Sequence, residues 1–427
     1  MSGLETNADS TPLIPPPLPA HHGEPLAAEA RMVSLDMLRG LALLGILIAN
    51  MLLFSQPLAY GFRSGLWLGS MDKIADWISL LLIEGKFYPI FAFLFGLGFS
   101  MQMGRADARG VDFSVVYRRR LLVLMAIGIA HGIFLWDGDV LLYYAMCGFL
   151  LLLFRNRKPV TITIWAAVCI LLPASLILVG GLVIQVLSGN AEFSKLMEEF
   201  YTQDPVVKGE LLRAFVTGSY ADTVNYRLDE FLLLALITLI FMPVTLGLFL
   251  IGLLAGRKQI FIEAARNRRQ TVAVLAACGC VGLLGNLLGA WATMVGSGKA
   301  EFGLMLIGYS VISIFGPVLA TAYVAGMLLL IQHARSAVFL SPLASVGRMA
   351  LTNYLAQSAI ATTLFYGYGF GLGLGGNIGR LGTIGIAFAI FAAQVLYSMI
   401  WLNFFHYGPL EWLWRSLTYG KRQPMRR

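Results

Sequence analysis

Apolar residues recur along this chain in ten runs, separated by shorter polar connections. The runs cover about residues 33–54, 78–103, 120–136, 139–154, 160–187, 230–256, 270–295, 304–331, 343–366 and 382–406. About 20 apolar helical residues cross a hydrocarbon layer about 30 Å thick, and a helix satisfies its own backbone groups where no water can. The pattern therefore predicts an all-α polytopic membrane protein of about ten transmembrane helices. Residues 1–31 lie outside it: they are polar, read T-P-L-I-P-P-P-L-P at 11–19, and predict a disordered Pro-rich cytoplasmic tail. The apolar run from Leu35 to Phe54 is long enough to stay in the membrane as an anchor rather than be cleaved as a signal. The connection 188–229 mixes Glu192, Lys195, Glu198, Glu199, Asp204, Lys208 and Glu210, which predicts short helices on the outer surface. It divides the chain into an N-terminal five-helix half (32–187) and a C-terminal five-helix half (230–422), with a basic tail at 423–427. Pro-Val recurs mid-run at Pro243 and Pro317, where a lost backbone donor predicts a packing kink.

Composition removes the alternatives. Hydrophobic residues make up 58% of the 427 positions and charged ones 13%, against about 25% charged in a soluble protein. Mean hydropathy is +0.75. So few charges cannot cover a soluble globule of this length, which excludes a cytosolic enzyme and a disordered chain. The four cysteines, Cys147, Cys169, Cys278 and Cys280, all fall inside apolar runs, so no secreted disulfide framework is implied. The net charge of +8 is not a nucleic-acid signature, because its distribution follows the runs. Connections after even-numbered runs hold 20 basic residues and those after odd-numbered runs only nine. Lys and Arg accumulate on the cytoplasmic side. Both termini are therefore expected in the cytoplasm, in a multi-pass protein of the plasma (inner) membrane.

Polar groups inside or beside apolar runs carry the candidate chemistry, because each is expensive there. The first run opens with Asp36 and Arg39, three apart on one helical face at the cytoplasmic side. They form an ion pair, or Arg39 meets a phosphate together with Arg118, Arg119 and Arg120. Asn50 marks the other end of that helix. Glu84-Gly85-Lys86-Phe87-Tyr88-Pro89 interrupts the second run, and Pro89 suits the first turn of a new helix. His131 lies about one and a half turns inside the outer end of the third run and is followed by the Asp137-Gly138-Asp139 turn, then Tyr143 and Tyr144. A histidine near neutral pKa with a carboxylate to orient it is an arrangement for base catalysis. Two acids in a turn lack the remaining ligands of a calcium loop, so no metal is assigned. Asn353 and Gln357 lie four apart in the ninth run, above Arg348. The Gly-rich stretch 367–382 has no Lys-Ser/Thr ending and is no nucleotide-binding loop. Residues 408–421 carry Trp412, Trp414 and basic neighbours, the composition of an interfacial helix. Glu84, Lys86, His131, Asp137 and Asp139 are expected to line one polar pocket nearer the outer face.

Five of these segments carry a resemblance. D-M-L-R-G-L-A-L-L-G-I at 36–46, E-G-K-F-Y-P-I-F-A-F-L-F-G-L-G-F at 84–99, H-G-I-F-L-W-D-G-D-V-L-L-Y-Y-A at 131–145, G-R-M-A-L-T-N-Y-L-A-Q-S at 347–358 and G-P-L-E-W-L-W-R-S-L-T-Y-G at 408–420 resemble the YeiB-like family of bacterial membrane proteins, from about residue 31 to 422. The C-terminal half of that family is a domain of unknown function. Its N-terminal half is similar to transmembrane acyltransferases, including heparan-α-glucosaminide N-acetyltransferase. The resemblance implies acyl transfer from cytoplasmic acyl-CoA to an outer-face acceptor, a small molecule, glycan or lipid, within membrane lipid and with oligomers allowed. The stretch 55–83 holds no histidine, so the role of His131 rests on its depth and neighbours rather than on the resemblance. In this reading His131 is the general base, Asp137 or Asp139 orients it, Lys86 stabilises the oxyanion or anchors the acceptor, and Glu84 holds Lys86. A transporter or lipid flippase would use the same charges as a translocation path.

Overall fold

The computed structural model describes residues 28–55, 69–108, 110, 112–201, 215–298, 301–369 and 372–427. The Pro-rich segment 11–19 and residues 202–214 of the long connection lie outside this set. Among the described residues the fold is all helical, with one antiparallel bridge between Phe405 and Arg426. Fifteen helices follow in order: α1 (Ala28–Phe54), α2 (Ser70–Leu82), α3 (Phe87–Asp107), α4 (Phe113–Phe134), α5 (Leu141–Leu152), α6 (Pro159–Leu187), α7 (Ala191–Tyr201), α8 (Tyr220–Arg257), α9 (Ile260–Arg266), α10 (Arg268–Gly298), α11 (Phe302–Ile331), α12 (Ala334–Arg348), α13 (Ala350–Phe365), α14 (Arg380–Phe404) and α15 (Pro409–Tyr419).

Local chemistry sets several boundaries. Asp112 accepts from the Ser114 backbone N–H at 2.9 Å and starts α4. Ser219 and Asp222 form a reciprocal capping box that starts α8. Pro159 occupies the first turn of α6, where its missing donor is harmless. Gln259 is left-handed, with φ 51°, at the corner where the end of α8 and α9 bend by 59°. Pro243 and Pro317 lie inside α8 and α11, and neither ends its helix.

Among the described residues, six helical segments are long and apolar enough to cross a membrane: Val33–Phe54, Ser70–Asp107, Pro159–Leu187, Arg268–Ser297, Phe302–Ile331 and Arg380–Phe404, with Met242–Arg257 plus Ile260–Arg266 as a seventh if the bent pair is one span. The other apolar runs are helical but differ from the sequence reading for identifiable reasons. The run 139–154 yields only the 12-residue α5, about 18 Å at 1.5 Å per residue. The run 343–366 breaks at Met349 into α12 and α13. The run 120–136 belongs to α4, whose earlier turns carry Arg118, Arg119 and Arg120. The second run breaks at Ile83–Lys86 between α2 and α3.

Helix contacts cross the chain midpoint. α1 packs on α3 and also on α12, α13 and α14, while α8 packs on α3, α5 and α6. The crossing of α1 and α12 is a backbone-to-backbone approach: a Cβ on Gly40 would meet the Leu343 carbonyl, and one on Gly347 the Asp36 carbonyl. Small residues allow such proximity between membrane helices, where dispersion rather than water exclusion holds them together. At the periphery, α10 pairs with α11, and α11 with α6. The outward surface of α6 is apolar, with Ile164, Leu172, Leu176 and Val186 exposed. That surface suits lipid.

Candidate active site

The α4–α5 hairpin builds the centre. α4 ends at Phe134, and the His131 carbonyl accepts both the Leu135 and Trp136 N–H at 2.9 Å, turning the chain. Asp139 then starts α5: its Oδ2 accepts the Leu142 N–H at 2.7 Å. Gly128 lets this turn lie against α4, since a Cβ there would meet the Leu142 nitrogen at 2.5 Å and Asp139 Oδ2 at 2.9 Å. The second carboxylate oxygen, Oδ1, is 2.8 Å from His131 Nδ1. On the other side of the ring, Nε2 is 2.9 Å from Oγ of Ser358, on α13. His131 and Ser358 are both buried, and the His131 ring lies 5.3 Å from Tyr354 and 6.4 Å from Trp136.

With Nδ1 donating to Asp139, Nε2 can accept from the Ser358 hydroxyl. Carboxylate, imidazole and hydroxyl stand in the order that an activated-nucleophile relay requires. Of the two aspartates considered as orienting groups, Asp139 makes the contact. Asp137 instead lies within electrostatic reach of Arg227 and Tyr366.

Glu84 and Lys86 belong to a second polar set. The Lys86 ammonium, fully buried, donates to the Leu80 carbonyl at 2.6 Å and the Glu84 carbonyl at 2.7 Å. The Glu84 carboxylate accepts from Ser79 and from Arg380, each at 3.1 Å. Arg380 also pairs with Asp76 at 3.5 Å and donates to the Ile48 carbonyl at 3.5 Å. The two sets flank the same half of α1: Ile48 touches Arg380, and Phe54 packs on Trp136 with ring centroids 4.1 Å apart.

The remaining candidates disperse. Asn353 and Gln357 face α14, where Asn353 bonds Ser398 at 3.0 Å, Gln357 bonds Gln394 at 2.9 Å, and Gln394 returns to the Asn353 carbonyl at 2.8 Å. Tyr354 and Ser358, four apart on the adjacent face of the same helix, face His131. Tyr144 stacks in an aromatic group with Phe91, Phe95 and Phe249, its hydroxyl 3.4 Å from the Tyr88 carbonyl, and Tyr143 lies against it at 5.2 Å. Asn50 is half-buried on α1.

The other end of α1 holds the arginines. Arg39 pairs with Asp36, and Asp36 is within electrostatic reach of Arg348. Arg120 donates to Gln102 at 2.7 Å and lies 4.2 Å from the Trp414 ring, while the Trp414 indole donates to the Arg120 carbonyl at 2.9 Å. Arg39 and Arg415 both bear electrostatically on Arg120. Arg118 and Arg119 are exposed. Glu411 of α15 accepts the Leu351 and Thr352 N–H groups at 2.6 and 3.0 Å and the Thr352 hydroxyl at 2.6 Å, capping α13 from another helix. Among the described residues no group of three His, Cys, Asp or Glu side chains is placed to hold a metal ion.

The sequence reading missed Ser358, Arg380 and Arg227. Ser358 stood inside the quoted 347–358 motif, but nothing in its spacing linked it to a histidine 227 residues away. Arg380 and Arg227 read as ordinary connection cations, although each is buried.

Residues 255–421 match the family model described as "Protein of unknown function (DUF418)". The chain is 33% identical over 419 residues to the uncharacterized protein YxaH of Bacillus subtilis (strain 168), covering 94% of this chain and 98% of that protein. It is 30% identical over 422 residues to an uncharacterized 39.9 kDa protein in the amylase 3' region of Bacillus acidopullulyticus, covering 94% and 98%. To the uncharacterized protein YeiB of Escherichia coli (strain K12) it is 29% identical over 401 residues, covering 91% and 96%. With near-complete coverage of both partners and the DUF418 match over residues 255–421, the chain belongs to the YeiB-like family of membrane proteins.

Proposed function

We propose that this protein is an integral membrane acyltransferase that moves an acyl group from cytoplasmic acyl-CoA to an outer-face acceptor. It would do so as a plasma (inner) membrane protein of ten spans with both termini in the cytoplasm. The observation that supports this reading best is the buried Asp139–His131–Ser358 relay. His131 Nε2 takes the Ser358 proton as Oγ attacks the thioester carbonyl. The carbon–sulfur bond breaks, and the imidazolium gives the proton to the departing CoA thiolate. In the second half His131 takes a proton from the acceptor hydroxyl or amine as that group attacks the acyl carbonyl; the acyl–acceptor bond forms, the ester to Ser358 breaks, and the imidazolium returns the proton to the serine oxygen. Asp139 stays anionic throughout and holds the ring. The arginines at the opposite end of α1, with Arg118 and Arg119 exposed, supply positive charge for the phosphates of the donor, and the pantetheine arm would run along α1.

The test is incubation of purified protein with acyl-CoA, following free thiol and the intact mass of the protein. Wild-type protein should release CoA and gain one acyl group, which fragmentation places on Ser358. His131→Ala should slow release by about 10²–10⁴-fold, the usual contribution of a positioned base, and Ser358→Ala should remove the adduct. Thiol release unchanged in both variants would refute the reading. The buried Asp76–Arg380–Glu84 network favours a second class, transport. Lipid movement across reconstituted vesicles without CoA release would establish that class instead.

A further inference from the structure

We infer that Arg227 is a binding subsite for a phosphate group, set at the end of α4–α5 that carries Trp136 and Asp137. Arg227 lies two turns into α8 and is 1% exposed. Its Nε, Nη1 and Nη2 all lack a hydrogen-bond partner among the described residues. The Tyr366 ring centroid is 5.5 Å from the guanidinium carbon. The hydroxyls of Tyr366 and Tyr368 lie beside it, and Asp137 bears on it through charge.

A guanidinium is the most demanding donor a protein has: five N–H groups in a rigid fork, always charged. Buried without acceptors it is strongly unfavourable, and one carboxylate beyond hydrogen-bond reach does not answer it. An oxyanion does, through two parallel N–H···O contacts. Two features select phosphate over carboxylate. The Tyr366 and Tyr368 hydroxyls add donors that a phosphate, with its extra oxygens, can accept from. The site also directly precedes the apolar run 230–256 on α8, and the end of a membrane-spanning run is where a phospholipid presents its phosphate. The tyrosines lead from the guanidinium to the surface: the Tyr366 and Tyr368 rings are 5.8 Å apart, those of Tyr368 and Tyr220 5.1 Å, and Tyr220 is 45% exposed.

The subsite adjoins the relay, because Asp137 and Asp139 belong to one turn and Trp136 packs beside His131. It therefore names the charge of the molecule this site receives: a phosphate-bearing one. That conclusion is read by binding alone and does not need turnover, so a failed acyl-transfer assay and a failed binding assay are separate results.

The experiment uses the full-length protein, purified free of phospholipid in detergent. Two probes are titrated at constant ionic strength: inorganic phosphate, followed by the thermal unfolding midpoint, and phosphatidylglycerol, followed by native mass spectrometry against phosphatidylcholine. Wild-type protein should bind at least one probe saturably. Arg227→Gln should weaken that binding at least 100-fold, and Arg227→Lys, which keeps the charge and loses the fork, at least tenfold. Binding of inorganic phosphate identifies a soluble phosphorylated ligand, and binding of phosphatidylglycerol alone a lipid headgroup. If Arg227→Gln does not fold, the Lys variant and Tyr368→Phe carry the measurement. The inference is overturned if neither probe binds, or if the Arg227 variants bind as wild type does.

Discussion

Arg380 shows how much can depend on one side chain in an apolar setting. It is the first residue of α14, is almost fully buried, and answers two carboxylates, Asp76 within α2 at 3.5 Å and Glu84 at the α2–α3 corner at 3.1 Å. Removing one member of a buried ion pair leaves the other charge uncompensated, at a cost of about 3–5 kcal/mol. Arg380→Ala should therefore lower stability in detergent by about that much, seen as a fall in the thermal midpoint. The double change of Arg380→Leu with Glu84→Leu should be milder than Arg380→Ala, because only Asp76 is then left without its partner. If Arg380→Ala unfolds with the wild-type midpoint, the network is not structural. Sequence alone could not find this residue. Arg380 lies inside the Gly-rich stretch 367–382, so hydropathy assigns it to a connection, and only its placement against Ser79 and Ile48 shows it buried. His131 and Asp139 were legible because they are eight residues apart and joined by a tight turn. Ser358 was not, because a serine within an apolar helix ordinarily bonds its own backbone.

Between helices, the close crossing of α1 and α12 accounts for two of the five quoted segments without any reference to catalysis. In D-M-L-R-G and G-R-M-A the glycines Gly40 and Gly347 are the contact points, so the Asp36–Arg39 pair and Arg348 come together as a by-product of backbone approach. A methyl group on Gly347 would lie 1.9 Å from the Asp36 carbonyl oxygen. Gly347→Ala should thus force the helices apart and cost about 1–3 kcal/mol, the range for overpacking. Spectroscopic distances between labels on α1 and α12 should lengthen with it. Unchanged distance and stability would show that the crossing is not tight. Length was the poorest guide at this scale. The run 343–366 looks like one span, yet Met349 divides it, and the N-terminus so created is what Glu411 caps.

Across the whole molecule, the site is assembled from both ends of the chain: α4 and α5 supply the histidine and carboxylate, α13 the serine, and α15 the cap that fixes α13. Burial pushes the Glu411 carboxyl above its ordinary value, partly offset by hydrogen bonds from Thr352 and Leu351. A carboxyl raised in the folded state binds its proton more tightly there than in the unfolded chain. Its contribution to stability is then full below the unfolded value of 4.5 and is lost as pH rises through the folded value. Glu411→Gln should flatten this acid-side gain while keeping an acceptor for the two N–H groups. Glu411→Ala should cost about 1–2 kcal/mol at any pH through loss of the cap. Unfolding midpoints of the three proteins measured from pH 4 to 8 check both, and parallel curves for wild type and Glu411→Gln would exclude the carboxyl as the titrating group. Fold class was legible at this scale because hydropathy is a property of long segments. The meeting of residues 131 and 358 was not, since it depends on which helices neighbour α1.

The cap also has a bearing on synthesis. Glu411 lies 60 residues after Leu351 in the chain, and ribosomes add about 5–20 residues per second. The helix carrying Ser358 therefore leaves the ribosome about 3–12 seconds before the carboxylate that anchors its first turn. During that interval the Leu351 and Thr352 N–H groups have no Glu411 carboxylate to accept from them. The order of translation thus leaves the first turn of α13 uncapped until α15 is made, and a chain released before residue 411 would insert its membrane helices with that turn unanchored.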